Sequence, residues 1–267
     1  MDLRENALTR PDGATLVYGV RPGPRPWVLL HGLGCDATMW AGVVDALPRE
    51  VGLLVPDLRG HGGSTLGWRL PSLDLWAEDI LAMIDAEGLE NPAVGGLSMG
   101  GYTALAVAAR RSLQVRAWGL VSTSAAPDDD AVRAKRATGI ETLDRRGWEA
   151  YLEGLLPVLL APGRADAASN RAHLVTMFAR AGAVGLAAAL WALASRPDRR
   201  PILPALGAPS VVVVGDADVL TPPDRAREIA LAAPDSELRV LRAVGHMSAL
   251  ESPSEVAEAL LRLEKRP

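Results

Sequence analysis

A serine framed by glycines, Gly96-Leu97-Ser98-Met99-Gly100 with Gly101 behind it, is the strongest chemical signal in the chain. The short apolar run Ala93–Leu97 before it reads as a strand, and the alanine-rich stretch Met99–Arg111 after it reads as a helix. A G-x-S-x-G pattern gains meaning in that setting. A tight strand-to-helix turn lifts the serine hydroxyl above a sheet, and small flanking residues let strand and helix approach. The first turn of the helix adds free N–H groups and a positive dipole end, suited to an anion forming on a substrate. Ser98 is the candidate nucleophile.

A serine hydroxyl attacks poorly until a base removes its proton. The chain has four histidines: His31, His61, His173 and His246. His246, in Val244-Gly245-His246-Met247 after the last predicted strand, is the candidate base. His31 reads as a turn-stabilising side chain, His61 as a residue holding the loop Asp57–Ser64, and His173 as a packing or surface residue. The acid that orients the base is expected at the end of the preceding strand, where Val211–Val214 runs into Gly215-Asp216-Ala217-Asp218. Asp218 fits better, by its distance from the helix start at Pro222-Pro223, and Asp216 stands as the alternative. Upstream, His31-Gly32-Leu33-Gly34 follows a buried strand. Either it is an ordinary turn, or the amide of Leu33 joins that of Met99 in a two-donor oxyanion hole.

These residues need a scaffold that brings loop ends together. Strands are predicted at Thr15–Val20, Trp27–His31, Gly52–Val55, Ala93–Leu97, Val115–Ser122, Ser210–Gly215 and Glu237–Arg242, with a helical period over Ser72–Glu87. The continuous β-branched run Val211–Val214 marks a strand covered on both faces. Strand–helix alternation implies right-handed crossovers and an α/β fold with a doubly wound, mostly parallel sheet. The alternation fails from about Asp128 to Arg200, a segment read as several helices punctuated by Pro157, Pro162-Gly163, Gly182 and Pro197. The expected organisation is a core over 1–127 and 201–267, with an inserted helical cap over 128–200. Within the cap, Trp148, Tyr151, Phe178 and Trp191 are candidate substrate-binding residues, and Met177 shares their character. Helix packing alone would select the same residue types. Asp128-Asp129-Asp130 reads as a solvated acidic helix start.

Composition narrows the function classes. Over 267 residues, 49% are hydrophobic and 22% charged, as in a soluble globular protein. A net charge of −4 argues against nucleic acid as a partner. The only lysines are Lys135 and Lys265. The single cysteine, Cys35, excludes an intrachain disulfide, suits a cytoplasmic location and reads as a packed residue. The first residues carry acidic side chains and no apolar signal region. The longest uncharged apolar stretch, Ala181–Ala194, is too short to span a bilayer, so no membrane partner is expected. No cluster has metal-ligand spacing and no phosphate-cradling loop precedes a lysine, so no metal and no cofactor are expected.

Taken together, His31-Gly32-Leu33-Gly34, Asp57-Leu58-Arg59-Gly60-His61-Gly62-Gly63-Ser64, Gly96-Leu97-Ser98-Met99-Gly100-Gly101, Gly215-Asp216-Ala217-Asp218 and Gly245-His246 resemble the α/β-hydrolase superfamily. The resemblance covers the chain outside the cap. Gly-Leu-Ser-Met-Gly-Gly and the compact cap are similar to the 3-oxoadipate enol-lactonase and small carboxylesterase branch, whereas serine at Ser98 departs from haloalkane dehalogenases, which carry aspartate there. The resemblance implies a serine hydrolase acting on a small to medium carboxylic ester or lactone. The alternatives are C–C bond cleavage of a β-diketone-type substrate, non-hydrolytic biosynthetic chemistry with the same triad, or a non-enzyme binding a small ligand under its cap.

Overall fold

The computed structural model describes residues 1–111, 115–164 and 166–264. Strands β1 (Arg4–Thr9), β2 (Thr15–Arg21) and β3 (Trp27–Leu30) are followed by a short 3-10 turn and α1 (Ala41–Ala46). Then come β4 (Leu53–Pro56), α2 (Leu73–Ala86), β5 (Ala93–Leu97), α3 (Met99–Arg111) and β6 (Ala117–Val121). Two long helical elements, α4 (Asp130–Leu159) and α5 (Ala167–Ala194), interrupt the alternation. It resumes with β7 (Ser210–Gly215), α6 (Pro223–Ala232), β8 (Ser236–Leu241), α7 (Ser248–Glu251) and α8 (Pro253–Glu264).

The eight strands form one sheet in the order β1-β2-β4-β3-β5-β6-β7-β8. β1 and β2 run antiparallel to their neighbours and the other pairings are parallel, so the expected doubly wound, mostly parallel α/β sheet is present. Alternate side chains of a strand point to opposite faces. Accordingly Val212 and Val214 join the core under α2, α3 and α6, while Val211 and Val213 join the core under α1 and α8. All four valines are fully buried, which is why the β7 sequence is apolar throughout rather than alternating. β1 was not anticipated. It is an exposed edge strand of sequence Arg-Glu-Asn-Ala-Leu-Thr that buries little, so no hydrophobic period announces it.

Between β6 and β7, α4 and α5 pack against each other along their lengths. Each is two helical arms broken at a glycine of positive φ, Gly147 in α4 and Gly182 in α5. The apolar run Ala181–Ala194 is therefore only part of α5. Among the described residues α5 is the one helix long and apolar enough to cross a membrane, and half of its apolar window is buried within the protein.

Candidate active site

Each candidate catalytic residue follows a strand on the same edge of the sheet, the carboxyl ends where open α/β sheets bind their ligands. Gly32 and Leu33 follow β3, Ser98 follows β5, Asp218 follows β7 and His246 follows β8. Ser98 has φ 53, a conformation that costs a non-glycine residue about 1–3 kcal/mol and persists only where its surroundings enforce it. The enforcement is visible. Its N–H donates to the Val121 carbonyl (2.9 Å), and its own carbonyl accepts from the Tyr102 amide (3.0 Å) and the Thr123 hydroxyl (3.0 Å). The turn also needs its glycines. A Cβ on Gly96 would lie 2.2 Å from the Gly100 carbonyl, and one on Gly100 would lie 2.1 Å from the Leu30 oxygen.

His246 and Asp218 are both buried and face each other, with His246 Nδ1 2.9 Å from Oδ2 and 3.1 Å from Oδ1. The carboxylate is further held by the Leu220 and Thr221 amides (2.9 Å each) and the Thr221 hydroxyl (2.8 Å). Burial opposes its charge, but the neighbouring His246 and the bonds from His246 and Thr221 outweigh burial and hold the carboxyl below its ordinary range. Asp218 is thus an ionised acceptor to which His246 Nδ1 donates, which leaves Nε2 as the unprotonated ring nitrogen. Asp216 is exposed and accepts the Ala243 amide (2.7 Å), a bond that ties the β8 turn rather than a histidine.

Ser98, His246 and Leu33 line one cavity of about 350 Å³, roofed by α4 and α5. No protein acceptor meets the Leu33 or Met99 amide among the described residues, leaving both N–H groups unengaged beside Ser98. Of the four cap candidates, Tyr151 lines this cavity. The other three do not. Trp148 lies with Glu153, Arg171 and Val175 in a separate surface depression. Phe178 is buried against Gly34, behind the turn that carries Leu33. Trp191 is 60% exposed: Leu190 and Leu193 face the cavity, and a helix turns by about 100° per residue, which swings Trp191 to solvent. Residue type picked out these aromatics, but the breaks at Gly147 and Gly182 set which face of each arm looks inward.

The structure adds residues that sequence reading missed. Tyr102, one turn after Ser98, and Val132, Lys135 and Arg136, at i, i+3 and i+4 on α4, also line the cavity. Asp128 corrects the solvated reading of the acidic run: it is buried and paired with Arg136 and Arg196, while Asp129 caps α4 through the Val132 amide and Asp130 is exposed. Buried Glu251 accepts from the amides of Gly245 (3.2 Å) and Ala161 (2.9 Å), tying the His246 loop to the α4–α5 connection. The spacing of 90 residues between Glu251 and Ala161 leaves no local signal for it.

The remaining histidines and the cysteine do not line this cavity. His31 donates from Nδ1 to the Gly32 carbonyl (2.8 Å) and accepts the Leu58 amide at Nε2 (2.8 Å). His61 bonds the Arg59 carbonyl, in a loop locked by the buried Arg59 ion pairs to Asp12 and Asp79. His173 meets the Thr38 hydroxyl (2.9 Å), and Cys35 is buried with its thiol pushed well up by burial. Burial lowers His31 to about 4 and His61 to about 3, from 6.5. A folded-state value below the unfolded one means the unfolded chain binds more protons. Stability is then full above about pH 6.5 and falls as pH drops below it, with a slope approaching about 1.4 kcal/mol per pH unit for each ring. Urea unfolding at pH 7 and pH 5 measures this, with a shallower slope expected for His61→Gln. Equal stability at both pH values contradicts the assignment. Among the described residues no group of three or more His, Cys, Asp or Glu side chains is placed to hold a metal.

Residues 27–259 match the sequence pattern of the Alpha/beta hydrolase family. The 3-oxoadipate enol-lactonase 1 of Acinetobacter baylyi is 30% identical over 229 residues, covering 80% of this chain and 80% of that protein. The dihydrolipoyllysine-residue acetyltransferase component of the acetoin cleaving system of Pseudomonas putida is 29% identical over 90% of this chain, which spans 63% of that longer protein. Among solved structures, a thermophilic esterase from Thermogutta terrifontis superposes with a TM-score of 0.92 at 30% identity, covering 98% of each chain.

Proposed function

Since this chain belongs to the alpha/beta hydrolase family, we propose that it hydrolyses small to medium carboxylic esters or lactones through an acyl-enzyme on Ser98. The observation that carries the reading is the shared cavity. Ser98, His246 and Leu33 line it together, Asp218 engages His246 Nδ1, and the Leu33 amide and that of Met99, next to Ser98 in the chain, meet no protein acceptor among the described residues. The esterase and the enol-lactonase named above add support by their similarity to this chain.

In this mechanism His246 Nε2 takes the Ser98 proton as Oγ attacks the ester carbonyl, forming a tetrahedral oxyanion that accepts from the Leu33 and Met99 amides. His246 then protonates the leaving alcohol as the C–O bond breaks. A water molecule gives its proton to His246, attacks the acyl-enzyme, and the acid leaves as Ser98 recovers its proton. Asp218 stays ionised throughout and stabilises the imidazolium. The α4–α5 insertion acts as a cap that limits substrate size, and no cofactor takes part. The lone buried thiol of Cys35 suits a reducing compartment, and the cytoplasm is the proposed location.

Steady-state assays with p-nitrophenyl acetate, butyrate and octanoate, run beside an aryl β-diketone, test the reading. Ester turnover well above diketone turnover, declining for the longest acyl chain, is the expected result. Diketone cleavage as the dominant activity would instead support C–C bond hydrolysis by the same three residues.

A further inference from the structure

The loop that carries His246 is held from two sides. At its start the partners belong to the sheet edge: the Ala217 amide donates to the Val244 carbonyl (3.0 Å) and the Ala243 amide to Asp216 (2.7 Å). Around the histidine itself the partners come from the α4–α5 connection. Met247, on one side of His246, donates its amide to the Leu159 carbonyl at the end of α4 (3.1 Å). Gly245, on the other side, donates to both oxygens of the Glu251 carboxylate (3.2 Å each), and Glu251 Oε2 also accepts the Ala161 amide (2.9 Å). Glu251 ends α7, and its side chain is fully buried. Arg164, from the same connection, donates to the carbonyls of Ala243 and Glu251 and brings Nε to 3.7 Å from Glu251 Oε2. The approach is close: a Cβ on Gly245 would lie 2.5 Å from the Ala161 nitrogen.

Asp218 holds the imidazole at Nδ1, which leaves the ring free to pivot about that bond unless the backbone beneath it is also fixed. A base must lie within hydrogen-bond reach of the proton it takes, and a misplacement of about 1 Å can cost on the order of 10²-fold in rate. We propose that Glu251 is a positioning residue for His246: its carboxylate clamps the Gly245 amide to the Ala161 amide, so that the end of α4 and the general base are set as one unit. This deepens the ester-hydrolase reading above and rests on it for the role of His246. A carboxylate suits the task, because it offers two acceptor oxygens and no proton to oppose the amides. A shorter or apolar side chain leaves two buried N–H groups unpaired. Glu251 does not line the cavity and acts only through the loop it holds.

Glu251→Ala and Glu251→Gln, assayed with p-nitrophenyl acetate well below their melting temperatures, test the role. Glu251→Ala is expected to lower kcat per folded molecule about 10–100-fold with KM within about twofold of wild type, because the base shifts while the cavity walls stay. Glu251→Gln keeps one oxygen that both amides can share, and its kcat is expected to fall between the two. Long-range proton–nitrogen NMR of histidine-labelled protein reads the base without turnover, with His246→Ala assigning its signals. The wild type is expected to show His246 protonated at Nδ1, and Glu251→Ala a mixture of tautomers with broadened signals. A merely structural carboxylate would lower the melting temperature of Glu251→Ala and leave its kcat and the His246 signals as in the wild type, which overturns the proposal. A loss confined to KM overturns it as well. Where Glu251→Ala does not fold, Glu251→Gln decides: kcat and His246 signals both equal to wild type overturn the proposal, and a change in both supports it. A wild type without ester turnover whose His246 signals still respond to Glu251→Ala sinks the ester-hydrolase reading and keeps the positioning role. Full ester turnover by the wild type and by both variants sinks the positioning role alone.

Discussion

Replacing Ser98 with alanine is expected to lower kcat/KM for p-nitrophenyl butyrate on the order of 10⁴–10⁶-fold while the protein stays folded. The variant keeps the cavity, the unengaged Leu33 and Met99 amides and the His246–Asp218 pair. What it lacks is the one nucleophile those groups serve. Cys35 cannot substitute, being fully buried with its thiol pushed up out of the reactive range. Residual hydrolysis comes from water activated by His246 within the oxyanion site, the kind of background that survives loss of a triad member. Alanine tolerates the positive φ of residue 98 about as well as serine, so the melting temperature should change little. Kinetics and thermal unfolding of the same preparation check both halves. Activity within tenfold of wild type would show that Ser98 is not the nucleophile.

Asp218→Asn carries the second large effect, a loss of about 10⁴ in kcat at neutral pH. The carboxylate now accepts from His246 Nδ1, two amides and the Thr221 hydroxyl. A carboxamide retains one acceptor oxygen, which the Leu220 and Thr221 amides hold. Its NH₂ then faces Nδ1 and stabilises the tautomer protonated at Nε2, the nitrogen that must be free to act as base. Asp216→Asn is the matched control, because Asp216 is exposed and, among the described residues, accepts from the Ala243 amide and not from a histidine. It is expected to change kcat by no more than about threefold, the scale of an ordinary surface substitution. The opposite ranking of the two variants would move the acid to Asp216.

Legibility in the sequence followed the range of the interaction. Ser98 and its turn were readable because strand, glycine and helix signals all lie within a few residues. His246 and Asp218 were readable because each follows a strand whose apolar pattern is local. The doubly wound sheet was readable from runs such as Val211–Val214, which must be covered on both faces. β1 escaped because an edge strand buries too little to carry a period, and the inward faces of the cap escaped because Gly147 and Gly182 reset the helical phase. Trp148, Phe178 and Trp191 therefore looked equivalent to Tyr151 and are not. Asp128 read as surface charge because one of its partners, Arg196, meets it only after the chain returns from α5, and the other, Arg136, reaches back from the second turn of α4.

The most direct test of the central claim is intact-mass analysis after exposure to a fluorophosphonate, with the adduct mapped by peptide sequencing. The account predicts one adduct on the wild type, located on Ser98, absent from Ser98→Ala and strongly slowed in His246→Ala. A folded wild type that gains no mass, or an adduct on any residue other than Ser98, would contradict an activated serine at the head of α3.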